Sequence, residues 1–252
     1  MPLTSHATGR GGLLTAAVAA LSLAVPGPVA AQERVTAFYP QVEHLDRPGH
    51  TSRFAFLDER VTVRDSPLRN SGRVVRLGLK TEDGTDEIVS IIGRSKDPRG
   101  LWWMKVRLPI RPNGTTGWVP RHALGEILET DTWLKVDQAK LRMVLIKRGR
   151  VVFRAPIGVG QARWPTPTGT FYVRNRLHGP SLGPIYGPLA FGTSARSAVL
   201  TDWPGGGVIG IHGTNSPGLL PGRVSHGCIR LRNADILRLG RLMQVGTPIT
   251  IT

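Results

Sequence analysis

The chain has 252 residues, of which 40% are hydrophobic, enough for ordinary packed cores and too many for a disordered chain. Lysine and arginine number 33 against 17 acids, a net charge of +16, and the single cysteine excludes an internal disulfide. Such a basic surface favours a polyanionic neighbour, or else is a solvated face that keeps the protein soluble.

The first element in chain order is an export signal. Arg10 precedes an uncharged stretch, residues 13–25, rich in Leu, Ala and Val; Pro26-Gly27-Pro28 and Val29-Ala30-Ala31 follow, the small-residue order that precedes cleavage, so residues 1–31 read as a signal peptide. The uncharged stretch spans thirteen residues, short of the roughly 20 that a membrane span needs. The mature protein is therefore expected in the periplasm or cell wall. That compartment argues against nucleic acid as partner and makes anionic cell-wall polymers or membrane headgroups the polyanions that fit. An unpaired cysteine is unusual there.

Residues 32–54 are polar and irregular and read as a linker, with His44 and His50 as solvated residues. Short alternating runs follow: Val61-Thr62-Val63-Arg64, Val74-Val75-Arg76-Leu77, Glu87-Ile88-Val89-Ser90-Ile91-Ile92 and Trp102-Trp103-Met104-Lys105-Val106. Turn signals at Ser71-Gly72, Asp83-Gly84 and Pro98-Arg99-Gly100 separate them, which predicts short strands closing into a small sheet or barrel. Alternation along a strand allows only one of Trp102 and Trp103 to face inward. Together with Val63-Arg64-Asp65-Ser66-Pro67 and the ending Gly117-Trp118-Val119-Pro120, this block, residues 55–126, resembles a bacterial SH3-like barrel. The resemblance implies attachment to cell-wall peptides.

A second unit, residues 130–252, is predicted to be mainly β with one short helix. Strands are expected at Trp133-Leu134-Lys135-Val136, residues 141–146, 151–155, 169–174, 208–212 and 249–251, with a turn at Lys147-Arg148-Gly149-Arg150. Residues 178–207, dense in Gly and Pro, read as a long irregular loop, the kind that forms a lid or pocket wall. Asn233 is placed to cap a helix through Met243, with Ile236, Leu237, Leu239 and Met243 on its apolar side.

The chemistry concentrates around the lone thiol. Cys228 sits in Ser225-His226-Gly227-Cys228-Ile229-Arg230, sixteen positions after His212 in His212-Gly213-Thr214. A free thiol is only a few per cent thiolate at neutral pH and needs a base or a positive partner to act as a nucleophile. His212 and His226 both supply an imidazole, and an extended segment would put His226 and Arg230 on the face of Cys228. Gly227 permits a sharp turn that aims backbone N–H groups at a developing oxyanion. Arg230 either pairs with a substrate carboxylate or holds the loop, and Ser225 either fixes the turn by a hydrogen bond or is a simple turn residue.

These two motifs, with Thr166-Pro167-Thr168-Gly169-Thr170-Phe171 before them, resemble the L,D-transpeptidase catalytic domain over about residues 130–252. The resemblance implies a β-sandwich whose cysteine attacks a peptidoglycan stem tetrapeptide after the L-centre of its third, diamino residue. D-Alanine leaves, and an amine of a second stem takes the thioester, making a 3-to-3 cross-link. It implies Cys228 as nucleophile, His212 as proton acceptor and donor, His226 as an orienting residue, and the Gly213 carbonyl as partner of the second His212 nitrogen. The N–H groups of Gly227 and Cys228 would form the oxyanion hole. Many relatives carry Asn where this chain has Arg230. Tyr186, Gly210, Ser225 and Arg230 are the substrate-contact candidates, with loop packing as the other reading of Tyr186 and Gly210. No cofactor is expected. The rival readings are a zinc site from His212, His226 and Cys228, which the single residue between the last two makes cramped; an inert wall-binding protein; and an L,D-carboxypeptidase or wall-anchoring variant sharing the same acyl-enzyme.

Overall fold

A computed structural model describes residues 38–46, 51–200 and 207–252. The stretch read as a signal peptide, His50 and residues 201–206 of the long loop lie outside the described residues. Described residues from Phe38 onward fall into one compact unit built on two sheets, each with its own hydrophobic core.

The first sheet is antiparallel throughout. In space its main path runs from Arg73–Leu77 through Val61–Arg64, Thr116–Pro120, Trp102–Arg107, Ile88–Lys96 and Ser52–Phe56 to Leu128–Thr130. The alternating residues do what their period dictates: Val61, Val63, Met104, Val106 and Val119 point into one core, while Thr62, Lys105 and Arg107 stay partly exposed. Trp103 is 4% exposed and Trp102 39%, so the pair splits across the strand as the pleat requires. The stretch expected to be a linker contributes structure. Glu43–His44 pairs with Ile88–Lys96 along its edge, with Arg94 Nε donating to Glu43 at 2.7 Å, and Ser52–Phe56 is an interior strand of the sheet. His44 lies exposed on that edge, as expected of a solvated residue.

The second sheet has ten strands among the described residues and is mainly antiparallel. Its order is Arg150–Pro156, Arg142–Lys147, Thr132–Asp137, Pro248–Ile251, Gly169–His178, Leu189–Arg196, Val208–His212, Ile229–Arg230, Gly158–Gly160 and Gly222–Ser225. The long strand Gly169–His178 joins the halves: residues 169–172 pair with Pro248–Ile251, and residues from Val173 onward pair with Leu189–Arg196. Side chains from both halves meet in one core, Leu134, Met143, Leu145 and Phe153 from one side, Phe191, Ile209, Ile211 and Ile229 from the other. The helix Asn233–Leu242 closes this core with Ile236 and Leu239, spaced one turn apart.

Three expectations need correction. The segment 178–207 is not wholly irregular. It holds a four-residue helix, Gly179–Leu182, and then Leu189–Arg196, a central strand in which all eight residues are buried. A strand covered on both faces has no reason to alternate, and its run Leu-Ala-Phe-Gly-Thr-Ser-Ala-Arg hides its polar members by pairing them. Thr193 Oγ1 donates to the Ile209 carbonyl at 2.6 Å, and Ser194 Oγ accepts from Tyr172 N at 3.1 Å. Second, Asn233 does not cap the helix; Arg232 precedes the first turn without a side-chain cap, and Asn233 Oδ1 accepts instead from Thr214 N at 2.9 Å. Third, Leu237 is 44% exposed, because it falls off the face that Ile236, Leu239 and Met243 share.

The sheets are locked together beside the site. Arg174, buried on Gly169–His178, donates Nε to Glu87 Oε1 at 2.7 Å and Nη2 to the other carboxylate oxygen, while its Nη1 reaches Glu82 at 2.5 Å. Arg196 holds the second oxygen of Glu82 and donates Nε to the Pro109 carbonyl at 2.9 Å. Burial opposes ionisation of Glu82, but the charge of Arg174, a backbone hydrogen bond and Arg196 together outweigh it and hold the carboxyl below its ordinary range. Burial likewise opposes the charge on Arg174, and its hydrogen bonds to Glu87 more than compensate.

Candidate active site

Parallel pairing brings the two motifs together. Val208–His212 lies beside Ile229–Arg230 with Ile211 opposite Ile229 and His212 opposite Arg230. Gly210 and His212 share one face of their strand. Cys228 immediately precedes the partner strand, and Gly210 N donates to its Sγ at 3.3 Å. A Cβ placed on Gly210 would lie 3.8 Å from Cys228 Sγ and 3.8 Å from His212 Cδ2. Thiol and imidazole therefore flank the space that the missing side chain leaves.

His212 is 2% exposed, and its Nδ1 lies 2.6 Å from the Gly213 carbonyl oxygen. A carbonyl only accepts, so Nδ1 carries the proton and Nε2 is left with its lone pair. Burial lowers the imidazole pKa, the Gly213 bond partly restores it, and the charge of Arg230 lowers it further, to about 4. Burial pushes the Cys228 thiol above its ordinary value, against the opposing Gly210 N–H and the charge of Arg230. At neutral pH the pair is thus a thiol and a neutral imidazole, and nucleophilicity must come from proton transfer during attack rather than from a standing thiolate.

The turn that carries Cys228 is built from inside. Gly227 adopts φ +111°, a conformation that side chains resist. Ser225 Oγ accepts from Gly227 N at 3.1 Å and donates to the Cys228 carbonyl at 2.6 Å. Ser225 is wholly buried, so its expected substrate contact gives way to the turn-fixing role. The Gly227 N–H, expected to face an oxyanion, is likewise taken up within the turn. The extended geometry expected to put His226 beside the thiol is replaced by this turn: His226 is exposed and packs on Trp164, with ring centroids 3.9 Å apart, while Arg163 covers the Trp164 ring at 3.5 Å.

Tyr186, Gly210, His212, His226, Cys228 and Arg230 all line one cavity of about 390 Å³. Tyr186 approaches His212 with ring centroids 4.8 Å apart. Arg230 lines the same cavity, and its Nε is buried without a hydrogen-bond partner among the described residues.

Sequence reasoning missed three positioning residues. Thr166 Oγ1 donates to the Gly227 carbonyl at 2.7 Å and accepts from Gly160 N at 2.9 Å, tying the Thr-Pro-Thr-Gly segment to the nucleophile turn. Asn233, through Thr214 N, holds the loop after His212. Gly187, at φ +64°, lets the Tyr186 loop approach so closely that an added Cβ would lie 2.8 Å from Gly213 Cα. Thr166 opens the Thr-Pro-Thr-Gly motif, but nothing local tells that its partner lies 61 residues ahead.

Comparisons with known proteins agree on one family. The L,D-transpeptidase catalytic-domain model matches residues 131–251. YqjB of Bacillus subtilis, named as an L,D-transpeptidase, is 30% identical over 141 residues, covering 53% of this chain and 78% of that protein. YkuD of the same organism, also so named, is 38% identical over 109 residues, 43% of this chain and 58% of the relative's length. YbiS of Escherichia coli, named as an L,D-transpeptidase, is 32% identical over 129 residues, 45% of this chain and 42% of that protein.

Proposed function

The chain belongs to the L,D-transpeptidase family, and we propose that it is an exported acyltransferase in which Cys228 takes the acyl group of a peptidoglycan stem tetrapeptide and passes it to an amine of a second stem. The observation that carries this reading is the pairing of Cys228 with His212 across Gly210 in one cavity, with the His212 tautomer set by Gly213.

As substrate binds, the Cys228 sulfur adds to the carbonyl carbon that follows the L-centre of the diamino residue, and the thiol proton passes to His212 Nε2. The imidazolium so formed is supported by the Gly213 carbonyl, a neutral substitute for the acid of other triads. The oxyanion falls to the Cys228 N–H, the member of the expected pair that the turn does not consume. His212 then returns the proton to the departing D-alanine nitrogen, leaving a thioester. An acceptor amine adds, gives its proton to His212, and the thiol is regenerated.

Export rests on the sequence pattern of residues 1–31. The first sheet is read as an SH3-like unit, and the excess of basic residues as suited to anionic wall polymers.

The test is incubation of purified protein with tetrapeptide muropeptides. Dimers with loss of D-alanine are the expected products; tripeptides alone would replace cross-linking by carboxypeptidase action. A carbapenem should add one covalent equivalent to wild type and none to Cys228→Ala, read by intact mass, and an adduct on the alanine variant would overturn the assignment of the nucleophile.

A further inference from the structure

The cavity at Cys228 is not built from the second sheet alone. Glu82 and Asp83, from the turn before Ile88–Lys96 of the first sheet, stand in its wall alongside Cys228, His212 and Arg230. Both acids lie outside the residues that match the family's catalytic domain. They differ in one decisive respect. Glu82 spends both oxygens on the guanidiniums of Arg174 and Arg196, so its charge is neutralised within the protein.

Asp83 is held by neutral groups. Its Oδ2 accepts from Asn175 Nδ2 at 3.1 Å, and its backbone N donates to Thr81 Oγ1 at 3.3 Å. The Asn175 amide is fixed in turn, with Oδ1 accepting from Gly192 N at 2.9 Å and Nδ2 also donating to Thr85 Oγ1 at 3.0 Å. A carboxylate is therefore pinned at the cavity edge in a chain where bases outnumber acids 33 to 17. Its negative charge has been given a neutral amide as partner, and its side chain remains exposed.

We infer that Asp83 binds the side-chain ammonium of the diamino residue in the donor stem peptide and so sets donor specificity. This rests on the function proposed above. The chemistry is complementary: the residue whose carbonyl must reach Cys228 carries a primary ammonium a few bonds away, and a carboxylate is the side chain that bonds it best. The cavity, about 390 Å³, has room for that residue and its neighbour. Arg230, which lines the same cavity, supplies the opposite charge for a carboxylate of the same donor. The first sheet thereby becomes part of the donor site rather than an independent module.

The experiment uses the full chain, wild type and Asp83→Asn, the latter keeping an oxygen acceptor for Asn175. D-Alanine release is measured from two tetrapeptide donors, one with a free and one with an N-acetylated side-chain amine, at a fixed concentration of a free-amine tripeptide acceptor. Acetylation should raise the wild-type KM about tenfold, the magnitude of one partly exposed charge-assisted hydrogen bond. Asp83→Asn should raise KM about tenfold for the free-amine donor alone, leave kcat within about twofold, and leave unchanged the acylation of Cys228 by a β-lactam without a cationic group. Equal KM increases on both donors, or on neither, would overturn the inference while leaving the function intact. Release of D-alanine from neither donor by wild type would overturn the proposed function, and this inference with it.

Discussion

His212 donates a hydrogen bond from Nδ1–H to the carbonyl of the very next residue, Gly213, at 2.6 Å. The bond ties the orientation of the base to the backbone of its own loop, and Asn233 holds the following residue, Thr214, in place. No acid is needed to fix the tautomer, and none raises the imidazole pKa, which burial leaves at about 4.

That value predicts the pH profile. His212 must be neutral to accept the thiol proton, so kcat/KM should stay level on acidification past the ordinary histidine range and fall only as pH drops through about 4. Because the thiol is raised, alkylation of Cys228 by iodoacetamide should be slow at pH 7 and accelerate only above the usual thiol range of about 8.5. Both are read by rate measurements between pH 3.5 and pH ~10 in constant ionic strength. An acid limb near the ordinary ~6.5 would mean that a different imidazole carries the proton.

Two glycines of the site should respond differently to alanine. At Gly210 an added Cβ makes only ordinary contacts, 3.5 Å or more from its neighbours, so Gly210→Ala should fold with an unchanged melting temperature. Its methyl would occupy the space between Cys228 Sγ and His212 that the reacting groups must share, and kcat/KM should fall by about 10²-fold or more, the worth of a positioned base. At Gly227 the backbone sits at φ +111° and the Cβ would meet Ile209 Cδ1 at 2.9 Å. Gly227→Ala should cost about 1–3 kcal/mol in a denaturant melt as well as activity.

Ser225→Ala should separate structure from chemistry at the nucleophile turn. The hydroxyl satisfies one buried N–H and one carbonyl, so its loss should destabilise the fold by roughly 1–3 kcal/mol. Carbapenem acylation should slow without being abolished, because Cys228 and His212 remain. Complete loss of acylation in a folded Ser225→Ala protein would show that the serine takes part in the reaction itself.

The site was legible in the sequence to the extent that its residues sit in short motifs. Cys228, His212 and Gly213 came together as expected because one pair of parallel strands carries both motifs. Strands half exposed to water announced themselves by alternation, as Val61–Arg64 does. Leu189–Arg196 did not, since burial on both faces erases the period, and its polar residues are paid for by partners far along the chain. Ser225 fixes the turn, one of the two readings its position allows, whereas the extended placement of His226 beside the thiol fails for a local reason. Their roles depend on whether the chain runs extended or turns at Gly227, and a glycine permits either. The part played by Glu82 and Asp83 had no local signal at all, because contacts between residues some ninety positions apart leave no periodicity to read.

Those distant contacts yield the last prediction. Arg174 and Glu87 are 5% and 2% exposed and bonded to each other, so Arg174→Met strands a buried carboxylate and should destabilise the protein by about 3–5 kcal/mol. Replacing both, as Arg174→Met with Glu87→Gln, should recover part of that loss, the signature of a coupled pair. Glu82 is partly exposed, and its effect is better read against pH. Its carboxyl titrates lower in the folded state than in the unfolded chain, so its contribution is complete above the unfolded value, about 4.3, and disappears as pH falls through the folded one. Wild type should therefore melt higher than Glu82→Gln at neutral pH, and the gap should close as the melts are taken from pH ~5 toward pH ~3. A gap that stayed constant over that range would mean that Glu82 holds the sheets together through shape rather than charge.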